Sequence, residues 1–301
     1  MTANPEYKVS EQRDSGLSAE SARTALRELL AINVNDLSIK SQGRPLPLRL
    51  YTPAGPGPFP VLMFFHGGGW VTGDLDTHDG FCRLMCEWAG CAVVAVDYAR
   101  PPEHVFPAAV KDCYAATDWV VEQGPSLGLD SLRIAVAGGG SGGGLAAVIC
   151  QWAREQGTPQ IMFQLLLYPL LDCLAQNPSN KDFAEGYGLT AEMLEWYIEH
   201  YVPSGTSRAD PRLSPLRSKY LHGLPPALII TSEFDVLRDE GRAYATRLKE
   251  AGVPVLHKEY PGMLHGFINY PAAHDDAKQA LFFCAQTLQA QFRGEVLTAD
   301  A

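Results

Sequence analysis

Short apolar runs alternate with helix-like segments along most of this chain, from about residue 61 to residue 283. The predicted strands are residues 61–65, 91–96, 133–137, 161–168, 227–231 and 255–260. The predicted helices are residues 77–88, 107–122, 142–156 and 237–251, with a last helix after Pro271. Because the strands show no polar alternation, both of their faces should be buried. The pattern therefore predicts a mostly parallel sheet that helices cover on both sides.

Three stretches depart from this alternation. Residues 46–51 alternate and have two prolines nearby, which favours an edge strand. Residues 1–45 are mainly polar, whereas residues 174–224 are dense in aromatic side chains, with Thr190 placed to cap a helix. An aromatic insertion between two strands is typical of a cover over a pocket, and packing against the main core is the alternative. We predict cap segments at residues 1–45 and 174–224 and an α/β domain at residues 46–173 and 225–301.

Composition and charge narrow the class of protein. The 301 residues are 46% hydrophobic and 19% charged, which is ordinary globular composition. The net charge of −10 argues against a nucleic-acid binder and against electrostatic or otherwise stable membrane anchoring. The sequence shows no signal peptide and no membrane span, so we expect a cytoplasmic protein. Its seven cysteines lack zinc or C-x-x-C spacing, which predicts reduced, buried thiols and no metal site.

A glycine-rich segment, Gly138-Gly-Gly-Ser141-Gly-Gly-Gly144, lies between a predicted strand and a predicted helix. Gly139, Ser141 and Gly143 fit the pattern G-x-S-x-G, in which a serine stands on a sharp strand-to-helix turn. Free N–H groups and the helix dipole there favour the negative charge that develops in acyl transfer. A phosphate-binding loop is the alternative, but the Walker lysine is missing and the segment does not follow the first strand. We predict that Ser141 is a nucleophile.

A second glycine motif, His66-Gly-Gly-Gly69-Trp70, directly follows the first predicted strand of the alternating region. Such glycines let main-chain N–H groups turn toward an oxyanion, as a tetrahedral intermediate requires. The residue after the nucleophile, Gly142, should supply another donor. A glycine turn without function is the alternative. We predict that His66 orients the loop and does not act as a base.

An acid and a histidine follow the last two predicted strands in the order that this kind of sheet requires, serine, acid, histidine. They are Asp235 and His265, and both lie just beyond a strand end, where catalytic loops are found. A histidine base must be oriented by a carboxylate before it can activate a serine. Glu233 and Asp239 are competing acids. We favour Asp235, because Asp239 and Glu240 are placed to open the next helix.

Together these motifs resemble the hormone-sensitive-lipase-like esterases, which are bacterial family IV or the alpha/beta hydrolase fold-3 group. The resemblance covers about residues 45–292. Its motifs are His66-Gly-Gly-Gly69, Asp97-Tyr98, Pro102-Glu-His104, Phe106-Pro-Ala108, the turn at Ser141, Asp235-x-Leu-Arg-Asp-Glu-Gly241 and His265-Gly-Phe267.

The resemblance implies an α/β-hydrolase fold, with a mostly parallel eight-stranded sheet and a helical cap. It implies a triad of Ser141, Asp235 and His265, and an oxyanion hole at the N–H groups of Gly68, Gly69 and Gly142. Glu103 matches a glutamate that stabilises the active-site loops, with a plain surface charge as the alternative. Family members hydrolyse short to medium acyl esters and need no cofactor, and some form homodimers.

Three departures from the family pattern bear on activity. Relatives usually read G-D-S-A-G at the turn, where this chain has Gly140 for the aspartate and Gly142 for the alanine. We expect a looser turn and modest activity. The motif that begins at Asp97 also differs from the usual D-Y-R-L-A-P-E, and Val236 stands where proline is common.

The sequence therefore predicts a serine carboxylesterase that acts through a covalent acyl-enzyme on a small-molecule ester. Trp70, Tyr187 and Trp196 are the predicted aromatic residues of the substrate pocket. An acyltransferase or amidase on the same triad is an alternative. A small-molecule-binding relative that has lost catalysis is another, which the presence of His265 disfavours.

Overall fold

Eight strands form a single sheet in the part of the chain that the computed structural model describes, residues 32–271 and 274–297. The strands are β1 (Ile32–Ser41), β2 (Arg44–Pro53), β3 (Phe59–Phe65), β4 (Ala92–Val96), β5 (Leu129–Gly139), β6 (Ile161–Leu167), β7 (Ala227–Phe234) and β8 (Val255–Leu264). The seven α-helices of the same residues are α1 (Asp79–Ala89), α2 (Ala108–Gln123), α3 (Ser141–Gln156), α4 (Pro178–Asp182), α5 (Ala191–Tyr201), α6 (Arg238–Glu250) and α7 (Asp275–Phe292).

The sheet has the order β1-β2-β4-β3-β5-β6-β7-β8. The pairs β1/β2 and β2/β4 are antiparallel, and the other five pairs are parallel. The predicted α/β-hydrolase fold with a mostly parallel eight-stranded sheet is thus confirmed. Strands β5, β7 and β8 extend several residues beyond their predicted ends, and these extensions carry the chain directly into the site residues.

The prediction of an edge strand at residues 46–51 is wrong, because these residues belong to β2 and β1 forms the edge. Only residues 48–51 of β2 pair with β4, so Pro45 and Pro47 precede the part that needs donors on both sides. Residues 32–45, expected within the N-terminal cap segment, form β1 and the start of β2. Residues 1–31 of that predicted segment lie outside the described residues.

Two apolar layers cover the two faces of the sheet. Helices α2, α3 and α6 pack on one face and α1 and α7 pack on the other. In β4, alternate residues supply the two layers: Val94 and Val96 face the first, and Val93 and Ala95 face the second. Every residue of β4 is buried on one face or the other, which explains its uninterrupted apolar run. All seven cysteines are buried and unpaired, as predicted.

The insertion between β6 and β7 contains α4 and α5. Thr190 caps α5 as predicted, since its side-chain oxygen accepts the N–H of Met193. The buried side chains of Ile198 and Tyr201 in α5 belong to the same apolar layer as the buried residues of α2, α3 and α6. None of the helices in residues 32–271 and 274–297 has the length and apolar character needed to cross a membrane.

A buried carboxylate on α2 anchors the β1–β2 hairpin. Asp112 is fully buried; its Oδ1 accepts bonds from Ser41 Oγ at 2.6 Å and from Gln42 Nε2 at 2.9 Å. Its Oδ2 pairs with the Arg44 guanidinium and accepts the N–H of Ala99 at 2.9 Å. A buried charge is tolerated only when it is paired and hydrogen-bonded, and Asp112 satisfies both conditions.

Replacing Asp112 by asparagine should therefore lower the free energy of unfolding by about 3 kcal/mol, because the Arg44 charge loses its buried partner. Urea unfolding monitored by circular dichroism measures the change. Asp118→Asn, on the same helix at a partly exposed position, is the matched control and should change stability by less than about 0.5 kcal/mol. Equal effects of the two variants would contradict the assignment of the anchor to Asp112.

Candidate active site

The structure brings the predicted acid and histidine together. Strand β7 ends at Phe234 and β8 ends at Leu264, so Asp235 and His265 are the first residues after two adjacent strands. Asp235 is buried, and its Oδ2 lies 2.8 Å from Nδ1 of His265. Its Oδ1 accepts the N–H of Leu237 at 2.9 Å. The carboxylate therefore holds one ring nitrogen of His265 and leaves Nε2 available on the opposite side of the ring.

The competing acids have other partners. Glu233 accepts the N–H of Gly262 at 2.6 Å. Asp239 and Glu240 lie in the first turn of α6, as predicted. Glu240 is fully buried and accepts two main-chain N–H groups of the segment after β6, while burial raises the pKa of its carboxyl well above the ordinary value. Asp235 alone of these acids contacts His265 among the described hydrogen bonds.

The residue at the apex of the strand-to-helix turn is one position earlier than the serine motif predicts. Strand β5 ends at Gly139 and α3 begins at Ser141, so the residue between them is Gly140. Gly140 has φ 53° and ψ −119°, a conformation that side chains rarely adopt and that marks the apex of the turn. The prediction that Ser141 stands at the apex is therefore wrong, and Ser141 is the first residue of the helix.

Close backbone contacts explain this register. A Cβ on Gly138 would overlap the backbone of Gly142, and a Cβ on Gly142 would overlap the carbonyl oxygen of Phe65 at the end of β3. Gly138 and Gly142 thus lie symmetrically about Gly140, and a Cβ on Gly144 would likewise overlap the carbonyl oxygen of Leu170. The glycines on both sides of Ser141 fit G-x-S-x-G at residues 139–143. The packing of the backbone instead makes residues 138–142 the turn, with Gly140 at its centre.

The hydroxyl of Ser141 faces the glycine loop and not the imidazole. Its Oγ accepts the N–H of Trp70 at 3.1 Å, and the residue is 2% exposed. The described hydrogen bonds include none between Ser141 and His265. By contrast, a Cβ placed on Gly140 would lie 3.3 Å from Nε2 of His265. The imidazole therefore faces Gly140.

The glycine loop after β3 is held from both sides. Gly68 and Gly69 have φ values of 109° and 59°, and the N–H groups of Val71 and Thr72 return to the carbonyl of Gly68. Gly69 lies so close to the ring of Tyr197 in α5 that a Cβ there would overlap the ring. These contacts require glycine at both positions, which explains the motif.

His66 makes several contacts at the start of this loop. Its ring stacks on Tyr98 at 4.1 Å, its Nδ1 lies 2.8 Å from the carbonyl oxygen of Gly67, and Arg100 donates to its Nε2 at 3.4 Å. A neutral ring with its proton on Nδ1 satisfies both contacts. Burial, followed by the neighbouring His78 and Arg100, holds the pKa of His66 well below its ordinary value.

A cavity of about 420 Å³ joins these groups. Gly68, Gly69, Gly140, Ser141 and His265 line it, together with apolar side chains. The apolar lining consists of Phe64, Phe81, Leu167, Leu170, Leu189, Met193, Leu194 and Leu237. In the described part of the chain Gly142, the predicted third oxyanion donor, does not line this cavity, because it is the second residue of α3 and packs against β3.

The three predicted pocket aromatics do not line the cavity either. Trp70 is buried and stacks on Tyr201 at 4.5 Å, Tyr187 stacks on Phe234 at 5.3 Å, and Trp196 packs on His200. Tyr197, the residue after Trp196, is the aromatic of α5 that lines the cavity. Helical geometry turns successive residues by about 100°, so neighbours on α5 face different directions.

Tyr168 lies beside His265, whereas Glu103 lies outside the cavity. Tyr168, which the sequence analysis missed, packs edge-on against the ring of His265 at 4.8 Å, and burial raises the pKa of its hydroxyl. Glu103 is exposed and lies outside the cavity lining, so a role in supporting the loops stays a prediction. In residues 32–271 and 274–297 no group of three or more His, Cys, Asp or Glu side chains could hold a metal ion.

An acid–histidine pair, a glycine loop and a helix N-terminus at the carboxyl edge of a parallel sheet define the α/β-hydrolase class of enzymes. Comparison with known proteins agrees with this class. The family described as "alpha/beta hydrolase fold" (Abhydrolase_3) matches residues 62–269. The chain belongs to this family, in its hormone-sensitive-lipase-like group of carboxylic ester hydrolases.

Several relatives are named as ester hydrolases. The chain is 46% identical over 244 residues to the carboxylic ester hydrolase LipN of Mycobacterium tuberculosis, a match that covers 79% of this chain and 65% of LipN. It is 37% identical over 263 residues to the ethyl acetate hydrolase of Pseudomonas putida, covering 85% and 82% of the two chains. A hyperthermophilic esterase from the archaeon Pyrobaculum calidifontis superposes with a TM-score of 0.90 at 35% identity, over 94% of each chain.

The buried, neutral His66 makes stability depend on pH. The pKa of His66 in the folded chain is lowered. Below about pH 6.5 the unfolded chain therefore binds a proton that the folded chain does not, and the free energy of unfolding decreases as the pH decreases. Between pH 6.5 and 5.5 the free energy of unfolding of the wild type should fall by about 1 kcal/mol more than that of His66→Asn. Urea unfolding at both pH values measures this, with His222→Asn, an exposed histidine, as the control. A His66→Asn variant with the wild-type pH dependence would rule out this origin.

Proposed function

We propose that this chain hydrolyses short-chain carboxylic esters in the cavity at the carboxyl edge of the sheet, with His265 as the general base and Asp235 as the residue that orients it. The observation that carries the proposal is the 2.8 Å contact between these two side chains, with the free face of the imidazole turned to the apex of the glycine turn. The names of the relatives support the reaction class.

The oxyanion of the tetrahedral intermediate would lie between the glycine loop and the N-terminus of α3. Gly68 and Gly69 line the cavity there, and the first N–H groups of a helix are free to bind an anion. Donors fixed before the reaction stabilise the developing charge without having to reorganise. Glycine at both loop positions lets the main chain approach the substrate carbonyl closely.

Proton transfer follows from the position of His265. Its Nε2 accepts a proton from the attacking group as that group adds to the ester carbonyl, and the imidazolium is stabilised by the buried Asp235. When the tetrahedral intermediate collapses, the same nitrogen returns the proton to the departing alkoxide. A single ring nitrogen thus serves as base and then as acid.

The size and lining of the cavity indicate the substrate. About 420 Å³ is at the small end of ligand pockets, and apolar side chains of the insertion, Met193 and Leu194, form part of its wall. Such a space suits an acetyl to butyryl group on a small alcohol. We propose that residues 174–224 form a cap which limits the acyl chain in this way.

Removal of either member of the pair should abolish most of the turnover. His265→Ala loses the base, and Asp235→Asn leaves the imidazole in the wrong tautomer, so each should lower kcat on p-nitrophenyl acetate by roughly 10² to 10⁴. His222→Ala, at an exposed position, should retain the wild-type rate.

Circular dichroism and thermal melting would show whether the variants stay folded. If the wild type hydrolyses no ester faster than His265→Ala does, the pair is not catalytic, and the cavity would only bind small molecules.

The chain-length preference tests the cavity itself. Initial rates on p-nitrophenyl esters from acetate to laurate should be highest between acetate and butyrate and should fall at least tenfold by octanoate, because a longer chain cannot fit beneath α5. Leu194→Ala, which widens the wall, should move the optimum toward longer chains, while Glu192→Ala, at an exposed position of the same helix, should not. A wild-type optimum at laurate would contradict a cavity of this size.

A further inference from the structure

We infer that the attacking group at this site acts from the space beside Gly140, where the wild-type chain offers water, and that the hydroxyl of Ser141 is not the nucleophile. The inference rests on the proposed ester hydrolysis and names the attacking group within it. It replaces the covalent acyl-serine route that the glycine motif predicts.

Gly140, and not Ser141, occupies the strained position of the turn. In a nucleophile turn the reactive side chain stands on the strained residue between strand and helix, which lifts it above the sheet. Here that residue is Gly140, with φ 53° and ψ −119°. Ser141 follows it as the first helical residue, and its side chain leaves the backbone in another direction.

The imidazole of His265 faces Gly140. Only a group about 3 Å from Nε2 of His265 can transfer a proton to it directly. A side chain on Gly140 would begin 3.3 Å from this nitrogen, so the reactive position of the turn and the base are matched. Because glycine has no side chain, the space between Gly140 and the imidazole is open to the cavity, and a water molecule there is within reach of Nε2.

The hydroxyl of Ser141 is held by the glycine loop. Its Oγ accepts the N–H of Trp70 at 3.1 Å and is packed beneath the glycine loop, where the Tyr98 hydroxyl donates to the carbonyl of His66 at 2.7 Å. The register of α3 cannot shift to bring Ser141 to the apex, since Gly142 already contacts the carbonyl of Phe65. The hydroxyl of Ser141 therefore has a structural role, which is to hold the loop against the helix.

The resulting reaction is balanced without an acyl-enzyme. The water oxygen forms a bond to the ester carbonyl carbon, and one water proton moves to Nε2 of His265. The bond between that carbon and the alcohol oxygen then breaks, and the proton on Nε2 moves to the departing oxygen. The products are the carboxylic acid and the alcohol, and the histidine returns to its neutral state.

Covalent labelling tests the inference directly. A fluorophosphonate probe forms a phosphorus–oxygen bond to an activated serine with loss of fluoride, and intact-mass and peptide spectrometry locate the product. The wild-type chain should show no adduct at Ser141. Ser141→Ala should lower the His265-dependent turnover of p-nitrophenyl acetate by less than about tenfold, because it removes one contact of the glycine loop, whereas removal of a nucleophile would cost several orders of magnitude. An adduct on Ser141, or loss of that turnover in a folded Ser141→Ala variant, would overturn the inference.

Gly140→Ser supplies a test by gain of function. A serine at the apex would face Nε2 of His265, so turnover should rise about 10² to 10⁴-fold and the probe should label residue 140, because a lost nucleophile alone removes most of the rate of such a site. Gly139→Ser is the matched control: it adds the same side chain one residue earlier, where a Cβ would face the Tyr168 ring at 3.2 Å, and it should give neither effect.

The left-handed φ of Gly140 strains any side chain, so thermal melting must accompany the kinetics. A Gly140→Ser variant that is folded and yet neither faster nor labelled would overturn the inference. Turnover that requires both His265 and Ser141 would overturn the inference alone. A wild type without any turnover that depends on His265 would instead overturn the proposed function.

Discussion

The close approach of strand β3 to the first turn of α3 determines where the groups of this site can stand. The backbone of Gly142 contacts the carbonyl of Phe65, and Gly138 contacts Gly142, with no room for a Cβ at either place. These contacts set the register of the whole turn and put Gly140 at its apex. They also bring the glycine loop after β3 beside the N-terminus of α3. One packing constraint thus fixes both the proposed anion site and the position from which we propose that attack comes.

The acid–base pair depends on a second constraint, the extension of two adjacent parallel strands. Because β7 and β8 end at Phe234 and Leu264, Asp235 and His265 leave the sheet side by side at its carboxyl edge. The carboxylate is buried and receives a main-chain N–H as well as the imidazole, so it is fixed before a substrate arrives. Such preorganisation is what an acid–base site needs, whichever oxygen attacks the ester.

Sequence patterns predicted the features that depend on local composition. Uninterrupted apolar runs marked the inner strands, and residues just after strands marked Asp235 and His265. Features that depend on tertiary contacts could not be predicted from the sequence. A run of six glycines around Ser141 admits more than one reading of the serine motif, and only backbone packing separates them. Likewise, prolines near β2 suggested an edge, although they precede its pairing with β4, and the aromatic face of α5 that meets the cavity could not be read from composition.

The insertion and the anion site are mechanically linked through the glycine loop. The ring of Tyr197 packs on Gly69, and Tyr201, one turn further along α5, stacks on Trp70, whose N–H is bound to Ser141. A displacement of α5 would therefore move the loop donors and the wall of the cavity together. The helix that we propose as the limit on the acyl chain also contacts the loop proposed to bind the carbonyl oxygen, and the hydroxyl of Ser141 joins that loop to α3. The contact of the Ser141 hydroxyl with the N–H of Trp70 accounts for its position beneath the loop.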